Sequence, residues 1–252
     1  MFAGIGLIAF CCIVAGGLIG LWLGAVLPEG HKSDATQRVV QNATSVVAVL
    51  SALVLGLLIN STKASLDIRS REVEQFSVAL TLLDRELVHL GPELADTRAS
   101  LRAYTERKIA LTWPKDRGAE SSFHDPPSIK MLDDIEQRLR GFAVQDEAQR
   151  IGVASALQLV GELKRTSRLL VVQQSGRTPL PFLVVAIFWL GVLAAGYMMF
   201  ATPNRTVIAI LMAYALTFSI AVNLIFDMDH PFTGFIRVSS TPMQRALEEM
   251  AP

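Results

Sequence analysis

The sequence predicts an all-α polytopic membrane protein with four transmembrane helices and a cytoplasmic helical domain between spans two and three. Three observations carry this. Of 252 residues, 51% are hydrophobic and 18% charged, and the mean hydropathy is +0.41, an apolar excess over ordinary soluble domains. Four stretches contain no Asp, Glu, Lys or Arg, and each reaches the roughly 20 residues that a helix needs to cross the hydrocarbon core. The remaining charge crowds into the segment between the second and third stretches.

The first stretch, residues 2–27, is wholly apolar. It lacks the basic start, the short apolar core and the small-residue cleavage site of a secretory leader, so it is expected to stay as a span. The second span is placed at 43–60, inside an uncharged run from Val39 to Thr62. The third and fourth lie at 181–201 and 206–226. Continuous apolar runs argue for helices, since barrel strands would alternate in short segments. The chain therefore divides into a transmembrane hairpin at 1–62, a cytoplasmic helical domain at 63–177, a second transmembrane hairpin at 178–226 and a cytoplasmic turn and helix at 227–252.

In the middle domain, Val73, Phe76, Leu80, Leu83, Leu87 and Leu90 step by alternating threes and fours, the spacing of a helical seam. Gly91-Pro92-Glu93 interrupts it, and Pro92 suits the first position of a new helix. That helix is predicted to close at Trp113-Pro114. Residues 114–128 read as a loop rich in Pro, Gly, Ser and Asp, and helical spacing resumes at Leu132, Ile135, Leu139 and Phe142 and again from Gln145 to Gln174.

Orientation is set by basic residues near the span ends. Lys63, Arg69, Arg71, Lys164, Arg165, Arg168, Arg177, Arg237 and Arg245 lie on the side of the middle segment, against Lys32, Arg38 and Arg205 on the other. This nine-to-three asymmetry places the middle segment and both termini in the cytoplasm and the chain in a cell inner (plasma) membrane.

Several function classes are disfavoured. Net charge is zero, which leaves no electrostatic footprint for nucleic acid. Cys11 and Cys12 are adjacent within an apolar run and read as packing residues. No phosphate-binding loop, zinc-protease motif or nucleophile elbow occurs, and His31, His89, His124 and His230 are scattered, so no catalytic residue, metal site or cofactor is assigned.

The spans carry more information in their small residues. Gly16, Gly20 and Gly24 form a ridge on one face of the first span, and Gly191 and Ala195 repeat the spacing in the third. Such ridges let helix backbones approach closely, within one subunit or between two. Along the second span Asn42, Ser45, Ala52, Gly56 and Asn60 make a small, mildly polar stripe, able to line a water-filled path in an oligomer or to pack against a neighbour. After the fourth span, Asp227, Asp229, His230, Pro231, Gly234 and Arg237 cluster at the membrane exit. They read as a structural turn whose carboxylates accept backbone N–H groups and pair with Arg237, with a cation or regulatory site as the alternative.

The run Asp227-x-Asp229-x-Pro231-Phe232-x-Gly234-x-Ile236-x-Val238-Ser239-x-x-Pro242 resembles the C-terminal signature of the bestrophin-like domain family. Leu83-Asp84-Arg85-Glu86-Leu87, Gly91-Pro92-Glu93, Arg98, Leu101-Arg102 and Trp113-Pro114 are similar to that family's middle segment. The resemblance covers essentially the whole chain. It implies a relation to bestrophins, which are pentameric ion channels with cytoplasmic helices, and hence a homo-oligomer in a lipid bilayer that passes inorganic ions; no bestrophin pore residue is carried over, and the small polar stripe of the second span is the expected lining of the path. No counterpart of the acidic calcium clasp of animal bestrophins is present, so calcium gating is not implied. The alternative is a membrane-anchored helical scaffold or sensor that binds a cytoplasmic partner.

Overall fold

The computed structural model describes residues 2–114, 123–175, 180–232, 234 and 236–250. Among these the regular structure is helical, with no strand: α1 Phe2–Val26, α2 Asp34–Leu90, α3 Ala95–Thr112, α4 Pro126–Arg140, α5 Glu147–Ser175, α6 Leu180–Met198, α7 Arg205–Met228 and α8 Thr241–Glu249. Four of them, α1, α2, α6 and α7, are long and apolar enough to cross a bilayer. The chain forms two compact units, one from Met1–Ala64 and Arg177–His230, the other from Ser65–Gly176 and Pro231–Pro252.

The helix boundaries have local causes. Asn204 caps α7 by accepting from the Val207 N–H at 2.8 Å. Asp125 caps α4, accepting from the Ser128 N–H at 3.0 Å, and Pro126 occupies the first helical position. Helix α2 runs 57 residues because neither Gly nor Pro occurs between Gly56 and Gly91. It ends where Gly91 adopts φ 116°, which an L side chain rarely tolerates, and Pro92 opens a short 3-10 turn.

In the first unit α1 lies directly on α6. A Cβ added at Gly16 would stand 2.3 Å from the Gly191 carbonyl oxygen, one at Gly20 2.3 Å from that of Ala195, and one at Gly24 1.9 Å from that of Met199. Both helices thus advance four residues per contact, and each contact is backbone on backbone. Helix α7 joins α1 through Leu211 against Gly17, and through Ser219, whose hydroxyl donates to the Gly6 carbonyl. The Thr44 hydroxyl of α2 lies over Gly196 of α6, 2.5 Å from where a Cβ would be. Ala9, Ile13, Leu55, Leu190, Ala215 and Val222 fill the spaces between.

The second unit surrounds the α2 seam, where Val73, Phe76, Leu80, Leu83, Leu87 and Leu90 are all buried. Leu101 and Tyr104 of α3, Leu132, Ile135 and Leu139 of α4, and Ala156, Val160 and Leu163 of α5 close over it. Helix α8 contributes Met243 and Ala246.

The glycine contacts yield a prediction. Gly20→Ala forces the α1 and α6 backbones apart and should cost about 1–3 kcal/mol, the usual range for overpacking. Gly161→Ala, on α5 with nothing within 4 Å of the new methyl, should instead gain about 0.5–1 kcal/mol from helix propensity. Apparent Tm values of the two variants in one detergent should therefore move in opposite directions.

Candidate functional site

The α2 segment of the first unit has two unlike faces. Thr44, Ser51, Leu55 and Thr62 are buried against the unit. Asn42, Ser45, Ala52, Gly56 and Asn60 are all exposed, and at about 100° per residue they fall within an arc of about 80°. The Ser45 hydroxyl donates to the Gln41 carbonyl at 2.8 Å, which satisfies its own donor within the helix. A Cβ at Gly56 would meet nothing within 4 Å. Beside this stripe the helix exposes Val46, Val49, Leu53 and Leu57, each by 60% or more. Val54, away from the stripe, is half-buried. Asn42 and Asn60 are about 27 Å apart along the axis at about 1.5 Å per residue, close to the thickness of about 30 Å of a hydrocarbon core.

The glycine ridge of α1 is occupied within the chain: Gly16 and Gly20 face Gly191 and Ala195. The sequence gives no sign of the third contact, at Met199 just past the end of α6, because only its carbonyl is used and a methionine does not register as small.

At the end of α7, Asp227 is buried while Asp229 and His230 are half-buried. The His230 N–H donates to the Asp227 carbonyl at 3.0 Å, and its Nδ1 lies 3.0 Å from the Phe226 carbonyl oxygen. Pro231 is buried, Gly234 half-buried and Arg237 exposed. Among the described residues no three His, Cys, Asp or Glu side chains come together as a metal-binding group. Beyond His230 the chain closes a turn, in which the Val238 N–H donates to the Pro231 carbonyl at 2.6 Å. The Val238 carbonyl accepts from Trp113 Nε1 at 2.9 Å, and the Trp113 ring stands edge-on to Phe232 at 5.6 Å. Trp113 and Phe232 belong to separate sequence motifs, and their juxtaposition is visible only in the fold.

Other polar contacts are also hidden from sequence. Arg98 pairs with buried Asp84 through two hydrogen bonds of 2.7 and 3.2 Å. Its guanidinium and that of Arg102 each donate at 3.3 Å to the Met250 carbonyl, which terminates α8. Arginines satisfying the last carbonyls of a helix also complement its dipole.

Comparison with known proteins supplies the context. The family model for the Bestrophin-like domain matches residues 11–243. The crystal structure of a bacterial bestrophin homologue from Klebsiella pneumoniae, carrying a point mutation, superimposes with a TM-score of 0.68 over 94% of this chain and 97% of that one, at 11% identity. No match is found among curated proteins.

The turn after α7 generates a prediction. On the structural reading, Trp113→Phe keeps an aromatic ring but leaves the Val238 carbonyl without its donor, and should cost about 1–3 kcal/mol. Asp227→Ala should lower thermal stability with or without divalent cations. A melting temperature raised by micromolar calcium or zinc, and a gain that Asp227→Ala alone abolishes, would replace that reading with a cation site.

Proposed function

Because the chain belongs to the bestrophin-like family, we propose that it assembles as a homo-oligomer, a pentamer if it resembles the bestrophins in this, and passes inorganic ions along an axis lined by α2. The observation that carries this reading is the bare face of α2. A membrane helix that packs one side on its own unit and exposes small, polar and apolar residues on the other has that other side available to copies of itself or to a water path. The α1 glycine ridge is already consumed inside the unit, so assembly falls to other surfaces. In this reading the second unit and both termini are cytoplasmic in a plasma membrane, on the basic asymmetry of the sequence, and no catalytic residue or cofactor is involved.

A second reading, a membrane-anchored scaffold or sensor, is favoured by one feature. An open groove of about 350 Å³ on the second unit is lined by Arg71, Glu74, Gln75, Val78, Ala79, Leu82 and Glu162. Val78 and Leu82 are exposed in it, a surface on which a partner helix could dock.

Planar-bilayer recording of purified protein, with a mass measurement of the solubilised particle, tests the channel. A fixed charge about 4 Å from a passing ion changes its energy by about 4 kcal/mol at an effective dielectric constant of about 20. Ala52→Glu or Gly56→Asp should therefore change conductance or selectivity several-fold, while Val54→Asp should mainly reduce assembly. Equal effects on both faces, or a monomeric mass for the unmodified chain, would remove the pore.

Topology is tested separately. With Cys11 and Cys12 replaced by Ala, a cysteine introduced at exposed Gln137 should resist an impermeant thiol reagent added to intact cells and react after lysis. Labelling from outside would reverse the orientation.

A further inference from the structure

Lys108 is a cation in the core of the second unit, 1% exposed. Its Nζ donates to the Phe123 carbonyl at 2.6 Å and lies 4.4 Å from the centre of the Phe123 ring and 5.9 Å from that of Tyr104. Asp125 is committed elsewhere. It accepts two hydrogen bonds from Arg107, at 2.6 and 3.1 Å, and two from Ser128. The ammonium is therefore held by a carbonyl and by aromatic faces, both of which attract a cation much more than a neutral amine.

Phe123 is itself a junction. Its ring meets Phe76 of α2 edge-on at 5.7 Å and Phe232, in the turn after α7, at 6.4 Å. We propose that Lys108 is a proton-operated latch: charged, it fixes Phe123 by carbonyl and ring together; neutral, it lets Phe123 move and so loosens the packing between Phe76 and Phe232. The groups involved favour this. Burial pushes the Lys108 amine down to about 8, with Asp125 opposing and Arg107 assisting the shift, while Arg107 and Ser128 hold the Asp125 carboxyl well below the usual carboxylate range. Tyr104, whose phenol burial pushes up, and Arg107 face the amine from α3, and Asp125 faces it from the cap of α4. His124 is exposed and adjoins Phe123 in sequence. Helix α2 and the turn contribute the uncharged rings of Phe76 and Phe232 to the cluster.

The latch is tested in the full-length protein without reference to conduction. With Trp22 and Trp189 replaced by Phe, Trp113 reports on Phe232 through its fluorescence. Its emission should shift with a midpoint near pH 8, should show no transition in Lys108→Arg, whose guanidinium keeps its charge, and should be unchanged in His124→Gln. The sign of stability is a second readout. The folded amine titrates near 8 and the free one at 10.5, so the unfolded chain binds more protons between them, and this group makes stability rise with pH across that window even as the local hold on Phe123 is released, because burial costs the ammonium more than the carbonyl and the rings return. Lys108→Met should flatten that slope. A flat Trp113 signal between pH 7 and 9 in the parent protein, a transition that survives Lys108→Arg, or one that disappears in His124→Gln would overturn the proposal. A silent bilayer with the pH transition intact would instead count against the channel alone.

Discussion

The contact on which the membrane unit depends is the approach of two backbones, α1 and α6, at Gly16, Gly20 and Gly24. Inside a bilayer, apolar side chains gain little by leaving lipid for one another, so helices associate through close packing and interhelical hydrogen bonds. Three glycines in four-residue register place α1 against the carbonyls of Gly191, Ala195 and Met199, and the first and third spans meet although they lie far apart in the chain. Helix α7 is added by the same logic, with Leu211 filling the space over Gly17 and Ser219 bonded to Gly6. Helix α2 rests on α6 with Thr44 over Gly196. All four spans keep exposed apolar residues, and α2 is the one least covered by its own unit.

That helix also explains why a single chain looks incomplete. At about 1.5 Å per residue its 57 residues extend about 85 Å, far beyond a bilayer. In the second unit Arg69, Phe76, Leu83 and Leu90 recur every seven residues along it, and each is buried. A seven-residue repeat holds one face to its partners over a long distance. In the first unit the stripe from Asn42 to Asn60 has no such cover, and the channel reading assigns it to the axis of an oligomer.

The spans are legible in the sequence because charge is expensive in hydrocarbon: the uncharged stretches 2–27, 181–201 and 206–226 lie close to α1, α6 and α7. The second stretch, 43–60, marks where lipid compatibility ends and not where the backbone stops being helical. Lys63, Asp67, Arg69 and Arg71 are helix-compatible residues, and the helix runs through them to Leu90. The glycine ridge is legible as spacing, but its partner is a matter of register between distant segments. Lys108 leaves no signal at all. On α3, Thr97, Thr105, Lys108 and Thr112 are buried beside Leu101 and Tyr104, so the inward face of that helix is largely polar and its hydrophobic pattern is weak.

The C-terminal signature shows how spacing in a family motif can arise from packing. Pro231 and Val238 close the turn by a backbone hydrogen bond, and the Val238 carbonyl takes the Trp113 indole. Val238 is buried, so its side chain and both its backbone polar groups are committed at once. Phe232 meets Trp113 on one side and Phe123 on the other, and Phe123 meets Phe76. Downstream, Pro242 sits in the first turn of α8, whose last carbonyl is held by Arg98 and Arg102. Each motif fragment thus finds its partner in another: Trp113 serves Val238, and Arg98 joins Asp84 to the end of α8. Thr241, where the arginine-capped helix begins, stands three positions after Val238, the indole acceptor, so the two contacts are tied closely together along the chain.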